Sequence, residues 1–203
     1  MKLSVAMPVY NEERTIDRAI DAVLAAPVEA ELELIVVDDA SADASAARLA
    51  ARAAADPRIR LLRHERNRGK GAALRTAFAA ATGDVVLIQD ADLEYDPSDY
   101  PRLVAPIAAG QADVVIGTRF PRGKNEGATS DGSLPRRLAP HALVNRLLTW
   151  LSNRMTGLAL SDMECCYKVF RRGVLQSLPL RSDRFGIEPE LVQKVARGGW
   201  RVS

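Results

Sequence analysis

Apolar and polar positions along the chain alternate between two textures. Short runs rich in Val, Ile and Leu, bounded by polar turns, occupy Leu3–Val9, Leu32–Val37, Ile59–Arg63, Val85–Gln89 and Val114–Gly117. Runs of this kind read as strands covered on both sides. Between them lie Glu13–Ala25, Ala42–Ala55, Ala72–Ala81 and Ser98–Ala109, alanine-rich and amphipathic, with the propensity and spacing of helices. Strand–helix alternation at this interval predicts a mainly parallel sheet with helices on both faces, an α/β fold. Ligands of such open sheets bind beyond the carboxyl ends of the strands, and the unusual polar clusters of this sequence fall there.

The pattern breaks after Gly117. Phe120–Pro140 holds Gly, Pro, Ser, Asn and Asp without periodicity and reads as a long mobile loop, of the kind that is usually functional or disordered. Leu138–Leu158 then reads as a helix, with Leu143, Leu147, Leu151 and Met155 four residues apart and Trp150 alongside. Cys165–Arg171 is expected to add a strand and Pro189–Arg197 a helix.

Composition narrows the class. A chain of 203 residues with 47% hydrophobic and 27% charged positions can bury a core and is expected to form one domain, 1–203. Its donor-side half is expected at about 1–118 and its acceptor-side loop and helices at about 119–203. Twenty-eight basic against 26 acidic residues leave a net charge of +2, which argues against a nucleic-acid partner. The only cysteines, Cys165 and Cys166, are adjacent, which excludes a disulfide framework or a cysteine zinc site; they read as small packing residues, and the lone His64 and His141 as exposed loop histidines. The chain enters its first strand at Leu3 without a basic-then-apolar leader, and no uncharged apolar run reaches the roughly 18 residues of a spanning helix. A soluble, cytoplasmic protein is expected.

Five clusters are candidates for chemistry. Pro8-Val9-Tyr10-Asn11-Glu12 closes the first strand and Asp38-Asp39-Ala40-Ser41 the second. Asp at such a position can accept from a ribose or a base N–H; the alternative is helix capping, which Asp39, Ser41 and Asp43 also suit. Asn67-Arg68-Gly69-Lys70-Gly71 precedes an alanine helix and could hold an anion, although it lacks the spacing of a P-loop and the third glycine of a dinucleotide fingerprint. Gln89-Asp90-Ala91-Asp92-Leu93-Glu94 sets three carboxylates after a buried strand. Strand alternation would turn Asp90 and Asp92 to one side, where they repel unless neutralised. A hard divalent cation with oxygen ligands, Mg²⁺ or Mn²⁺, fits, and such ions usually also take substrate phosphates; the alternative is an acidic surface turn. Gly117-Thr118-Arg119-Phe120 closes the fifth run.

Taken in order, these clusters resemble the family-2 inverting glycosyltransferases. Asp162–Arg171 and Arg184–Glu190 add likeness to the branch that resembles dolichol-phosphate mannosyltransferase and acts on polyprenyl phosphates. The resemblance spans roughly Leu3 to Val202. It implies the glycosyltransferase-A fold, Rossmann-like, and a nucleotide diphosphate sugar donor (GDP-mannose or UDP-glucose type) bound through a divalent cation. Carried over, Pro8, Tyr10, Glu12 and Asp39 line a nucleoside pocket supported by Asp38, with Lys70 also on the donor side. Asp90 faces sugar and nucleotide, and Asp90, Asp92 and Glu94 hold the metal. Arg119, with Arg136 and Arg137, binds acceptor phosphate, and Asp162 joins Asp92 and Arg119 as a catalytic candidate: a positioning group for a lipid phosphate, a base candidate for a hydroxyl. Glu188 and Glu190 read as helix-capping acids or as an active-site edge. Members of this branch usually continue past the strand that begins near Trp200 with a further basic segment. With Ser203 as the last residue here, two alternatives are expected, a shortened C-terminus or acceptor binding with fewer cations.

Charge bears on the acceptor. Residues 117–157 carry seven basic against two acidic side chains. A positive loop followed by an amphipathic helix bearing Trp150 suits an anionic lipid head group, giving peripheral association with the cytoplasmic face of a membrane; the alternative is a solvated loop and a core-facing helix. The expected reaction is inverting transfer of a hexose to a polyprenyl phosphate. The rivals are transfer to a saccharide hydroxyl in glycan assembly and a non-catalytic nucleotide-sugar binder.

Overall fold

The computed structural model describes residues 1–118 and 140–203. Six strands form a single sheet: β1 (Lys2–Val9), β2 (Glu31–Asp38), β3 (Ile59–Arg63), β4 (Val85–Ile88), β5 (Val114–Ile116) and β6 (Lys168–Arg171). Their order is β3-β2-β1-β4-β6-β5. β1 pairs parallel with β2 and β4, and β2 with β3, while β6 runs antiparallel between β4 and β5. One strand is therefore reversed and the other five share a direction. Val202 adds a parallel bridge to Val114 at the edge, where a strand near Trp200 is expected.

Side-chain alternation along β1 builds a core on each face. Leu3, Val5, Met7 and Val9 pack with Ile16, Ile20 and Val23 of α1 (Ile16–Leu24), with Leu49 of α2 (Ser45–Ala55) and with Val104 and Ile107 of α4 (Tyr100–Ala108). Ala6 faces the other way, joining Ile35, Val37, Val86 and Ile88 against α3 (Lys70–Ala80), α6 (Arg172–Ser177) and α7 (Ile187–Arg197). α1 buries Ile16, Ala19, Ile20 and Val23, the i, i+3, i+4, i+7 stripe of an amphipathic helix. α3 lies on the sheet through small residues, Ala72, Ala73 and Ala77, with Leu74 and Phe78 filling the larger gaps.

α1 and α2 begin later than periodicity suggests, at Ile16 and Ser45, for one physical reason. The preceding residues are bound across two loops. The Asn11 N–H donates to Ser41 Oγ (3.0 Å) while Asn11 Oδ1 accepts from the Ala42 N–H (2.8 Å). The Glu13 N–H donates to Asp43 Oδ2 (3.1 Å) while Glu13 Oε2 accepts from the Ala44 N–H (3.0 Å). This reciprocal zipper ties the carboxyl end of β1 to that of β2.

α5 (Pro140–Thr156) does not follow the core-facing alternative. Its buried positions include Asn145 and Thr149, whereas Leu147, Trp150, Leu151 and Met155 are exposed, Met155 at 75%. No helix among the described residues is long and apolar enough to cross a membrane.

Candidate functional site

β1, β2 and β4 are neighbours in the sheet, and their carboxyl ends open onto one cleft of about 360 Å³. Each exit contains a non-glycine residue in the left-handed region: Asn11 (φ 58°), Ala40 (φ 61°) and Leu93 (φ 66°). Such strain persists where surrounding structure imposes it, and it concentrates at binding sites.

Pro8, Tyr10, Glu12, Asp39, Lys70, Asp90 and Asp92 all line this cleft. The structure thus brings together all but Asp38 and Glu94 of the residues expected to hold the donor and its cation. Asp38 is buried just behind: its Oδ1 accepts from the Ser41 N–H (2.9 Å), and its Oδ2 lies 3.1 Å from the Arg63 guanidinium. Neither aspartate caps α2 with its side chain. Asp39 ties down the next loop, accepting from the Arg68 N–H (2.9 and 3.1 Å), the Gly69 N–H (2.7 Å) and His64 Nδ1 (2.6 Å). His64 is therefore buried, its Nε2 2.9 Å from Thr76 Oγ1, which corrects the exposed-histidine reading. Sequence cannot show that a histidine 25 positions on meets Asp39.

The expected anion site before α3 is filled from within the protein. Asp39 takes the Arg68 and Gly69 N–H groups, and the Ala72 N–H donates to Asp183 O (3.0 Å). Gly69, at φ +95°, and Gly71 instead admit the 182–184 backbone: a Cβ at Gly71 would stand 2.3 Å from Ser182 O. That packing brings Arg184 and the exposed Phe185 to the lining of the same cleft.

Lys70 is the central charge. Its Nζ lies 2.9 and 3.0 Å from the two Asp90 oxygens and 2.8 Å from Glu188 Oε1. Burial works against its charge, but Asp90 and Glu188 outweigh it and hold the pKa above the ordinary lysine value. Glu188 is itself buried, and its Oε2 has no hydrogen-bond partner. Neither Glu188 nor Glu190 caps α7. Glu190 accepts from the Arg181 (2.9 Å) and Ser182 (2.7 Å) N–H groups, fixing the segment that leads to Arg184.

Gln89 anchors the carboxylate loop. Buried at the end of β4, its Oε1 accepts from Tyr100 (2.8 Å) and Tyr167 (3.0 Å), and its Nε2 donates to Asp90 O (2.9 Å). β4 ends at Ile88, so strand alternation does not govern Asp90 and Asp92; the turn held by Gln89 does. Asp92 Oδ1 accepts from the Glu94 N–H (3.0 Å), and Glu94 does not line the cleft. Among the described residues no group of three or more His, Cys, Asp or Glu is gathered to hold a metal. Asp90 and Asp92 supply hard oxygen donors at the cleft, a pair suited to Mg²⁺ or Mn²⁺ when substrate phosphates complete the shell.

Asp162 is buried away from the cleft and accepts from Asn145 Nδ2 of α5 (2.7 Å). Cys165 and Cys166 are buried and free, as packing residues; burial pushes the Cys166 thiol well above its usual pKa. Arg119, Arg136, Arg137, His141 and most of the Phe120–Pro140 segment, including its charges, fall outside the residues whose side chains are described.

Comparison with known proteins gives this geometry its context. The dodecaprenyl-phosphate galacturonate synthase of Rhizobium johnstonii is 29% identical over 198 residues, covering 96% of this chain and 55% of that protein. The undecaprenyl-phosphate 4-deoxy-4-formamido-L-arabinose transferase of Pectobacterium carotovorum is 35% identical over 199 residues, covering 96% and 56%. The chain thus spans just over half the length of these relatives. Among solved structures, glucosyl-3-phosphoglycerate synthase from Mycobacterium tuberculosis in complex with Mn²⁺, UDP and glucosyl-3-phosphoglycerate superposes with a TM-score of 0.73 at 27% identity, covering 100% of this chain and 68% of that one. The same enzyme with Mg²⁺ and UDP gives the same TM-score of 0.73. The likeness establishes the glycosyltransferase-A architecture expected from the sequence. A model described as Glycosyl transferase family 2 matches residues 4–178, and this chain belongs to that family.

Proposed function

We propose that the chain transfers a hexose, with inversion, from a nucleotide diphosphate sugar to a polyprenyl phosphate in a reaction that depends on a divalent cation. The observation that carries this reading is the cleft, which Tyr10 and Asp39 line together with the charged Lys70, Asp90 and Asp92. The dodecaprenyl and undecaprenyl phosphates named for the two sequence relatives support the acceptor, and the UDP, Mn²⁺ and Mg²⁺ in the structural neighbour support the donor and the cation.

In this reading Tyr10 and Phe185 offer exposed aromatic surface to the base, and Pro8 and Glu12 complete the pocket rim with Asp38 behind. Asp90 and Asp92 hold the cation, and Glu94 stands at the loop's outer edge. When bound, Mg²⁺ or Mn²⁺ neutralises charge that grows on the leaving diphosphate. Lys70 adds a positive charge in the same cleft. Arg119, Arg136 and Arg137 orient the acceptor phosphate. A phosphate is already ionised at neutral pH and requires no base to attack, so a buried Asp162 bonded to Asn145 suits a positioning role. The donor-binding half is 1–118 and the acceptor side 119–203, within one catalytic unit. The exposed apolar side chains of α5 (Leu147, Trp150, Leu151 and Met155) are placed to rest on a cytoplasmic membrane face.

The test is an incubation of the chain with UDP- and GDP-linked hexoses, a detergent-dispersed polyprenyl phosphate, and Mn²⁺ or Mg²⁺. Cation-dependent appearance of the sugar in the organic phase is the expected result. Sugar appearing only on water-soluble acceptors, or only as free hexose, would remove the lipid acceptor.

A further inference from the structure

Lys70 sits where a divalent cation is needed, and that juxtaposition has a consequence for cation affinity. Its ammonium contacts both oxygens of Asp90, at 2.9 and 3.0 Å. Asp90 is therefore already neutralised before any cation arrives. From the opposite side Glu188, in the first turn of α7, holds the same ammonium at 2.8 Å through Oε1. The remaining oxygen, Glu188 Oε2, is buried without a hydrogen-bond partner, although a buried carboxylate oxygen ordinarily finds one. The backbone around this triad is braced. Gly69 and Gly71 admit the 182–184 strand of chain against the start of α3, which fixes the base of Lys70 relative to α7.

We propose that Lys70 is a built-in counter-cation that competes with the divalent cation for Asp90, and that Glu188 is the positioning residue that receives Lys70 when Asp90 is taken. Glu188 has one oxygen engaged and one spare, so it can accept the ammonium with both. Without Glu188, a cation that claims Asp90 would leave Lys70 buried with no carboxylate, and a buried unpaired charge is heavily penalised. This inference rests on the reading that Asp90 and Asp92 bind the cation. It adds a residue that acts through Lys70 rather than on substrate.

The experiment is a titration of Mn²⁺ alone, without nucleotide, followed by the loss of the free-ion electron paramagnetic resonance signal. It uses the wild-type chain, Asp90→Asn, Lys70→Met, Glu188→Gln and the double variant Lys70→Met/Glu188→Gln, with circular dichroism to check folding. Competition predicts that Lys70→Met binds Mn²⁺ about tenfold more tightly, a gain that misfolding cannot produce, and Glu188→Gln about tenfold more weakly. It further predicts that Glu188→Gln has less than about a threefold effect once Lys70 is absent, since coupled residues are non-additive. An equal effect of Glu188→Gln in both backgrounds would mean that Glu188 acts only as a nearby negative charge and would overturn the proposal. Unchanged affinity in Lys70→Met would overturn it as well. Mn²⁺ binding that Asp90→Asn leaves intact would instead overturn the underlying cation site.

Discussion

Ala40 shows how single residues shape the cleft. With φ at 61° it holds a conformation that L-residues avoid, at about 1–2 kcal/mol per residue. Asn11 tolerates the same region better, as asparagine generally does, and its Oδ1 accepts from the Ala42 N–H across the two loops at 2.8 Å. The strain at Ala40 turns the chain so that Asp39 reaches back to the Arg68 and Gly69 N–H groups. Ala40→Gly should therefore raise stability by about 0.5–1 kcal/mol in urea unfolding, net of glycine's extra unfolded-state freedom. A loss of stability would mean that the methyl group packs usefully and that the strain is already relieved.

At the scale of elements, what sequence exposes and what it hides have separable causes. The strands and α1–α4 were legible because burial on both faces makes apolar runs, and because one buried stripe gives helical spacing. Asp90 and Asp92 were legible because carboxylates after a buried strand need a reason. The starts of α1 and α2 were not, since the zipper between residues 11–13 and 41–45 depends on two loops meeting in space. Gln89 was hidden as an anchor of the site, and Glu188, read as a helix cap or an active-site edge, could not be matched to its partner, for the same reason: Tyr167 for one and Lys70 for the other are 78 and 118 positions away. In α5 leucine spacing alone did not tell which side is buried, and the core-facing alternative fails because polar Asn145 and Thr149 are among the buried positions. The junction of α3 with the 182–184 segment offers a direct check. At Gly71 a Cβ would meet Ser182 O at 2.3 Å and Arg184 O at 3.0 Å, whereas at Gly173 it would meet nothing within 4 Å. Gly71→Ala should destabilise by about 1–3 kcal/mol and weaken nucleotide binding, because Arg184 and Phe185 line the cleft. Gly173→Ala, in α6, should be neutral or stabilising. Equal effects of the two variants on thermal unfolding and nucleotide affinity would contradict this account of the junction.

For the whole molecule, overall charge is nearly balanced, yet seven of the basic residues fall within 117–157 against two acidic ones. Together with the exposed Leu147, Trp150 and Met155 of α5, this concentrates membrane-compatible chemistry in one stretch of chain. Flotation with vesicles containing anionic phospholipid should carry the protein upward, less so at high salt or after Leu147→Glu with Leu151→Glu. Flotation indifferent to salt and to those substitutions would place any lipid contact elsewhere. The donor side makes the firmer demand, because the account requires Asp90 and Asp92 to join a cation to a nucleotide diphosphate. Calorimetric titration of UDP and GDP, with and without Mn²⁺, into wild-type and Asp92→Asn protein tests this most directly. One nucleotide should bind at least about tenfold more tightly with the cation, and Asp92→Asn should erase that gain while leaving the fold intact. Binding that is equally tight without the cation, or a cation effect that survives Asp92→Asn, would contradict the account.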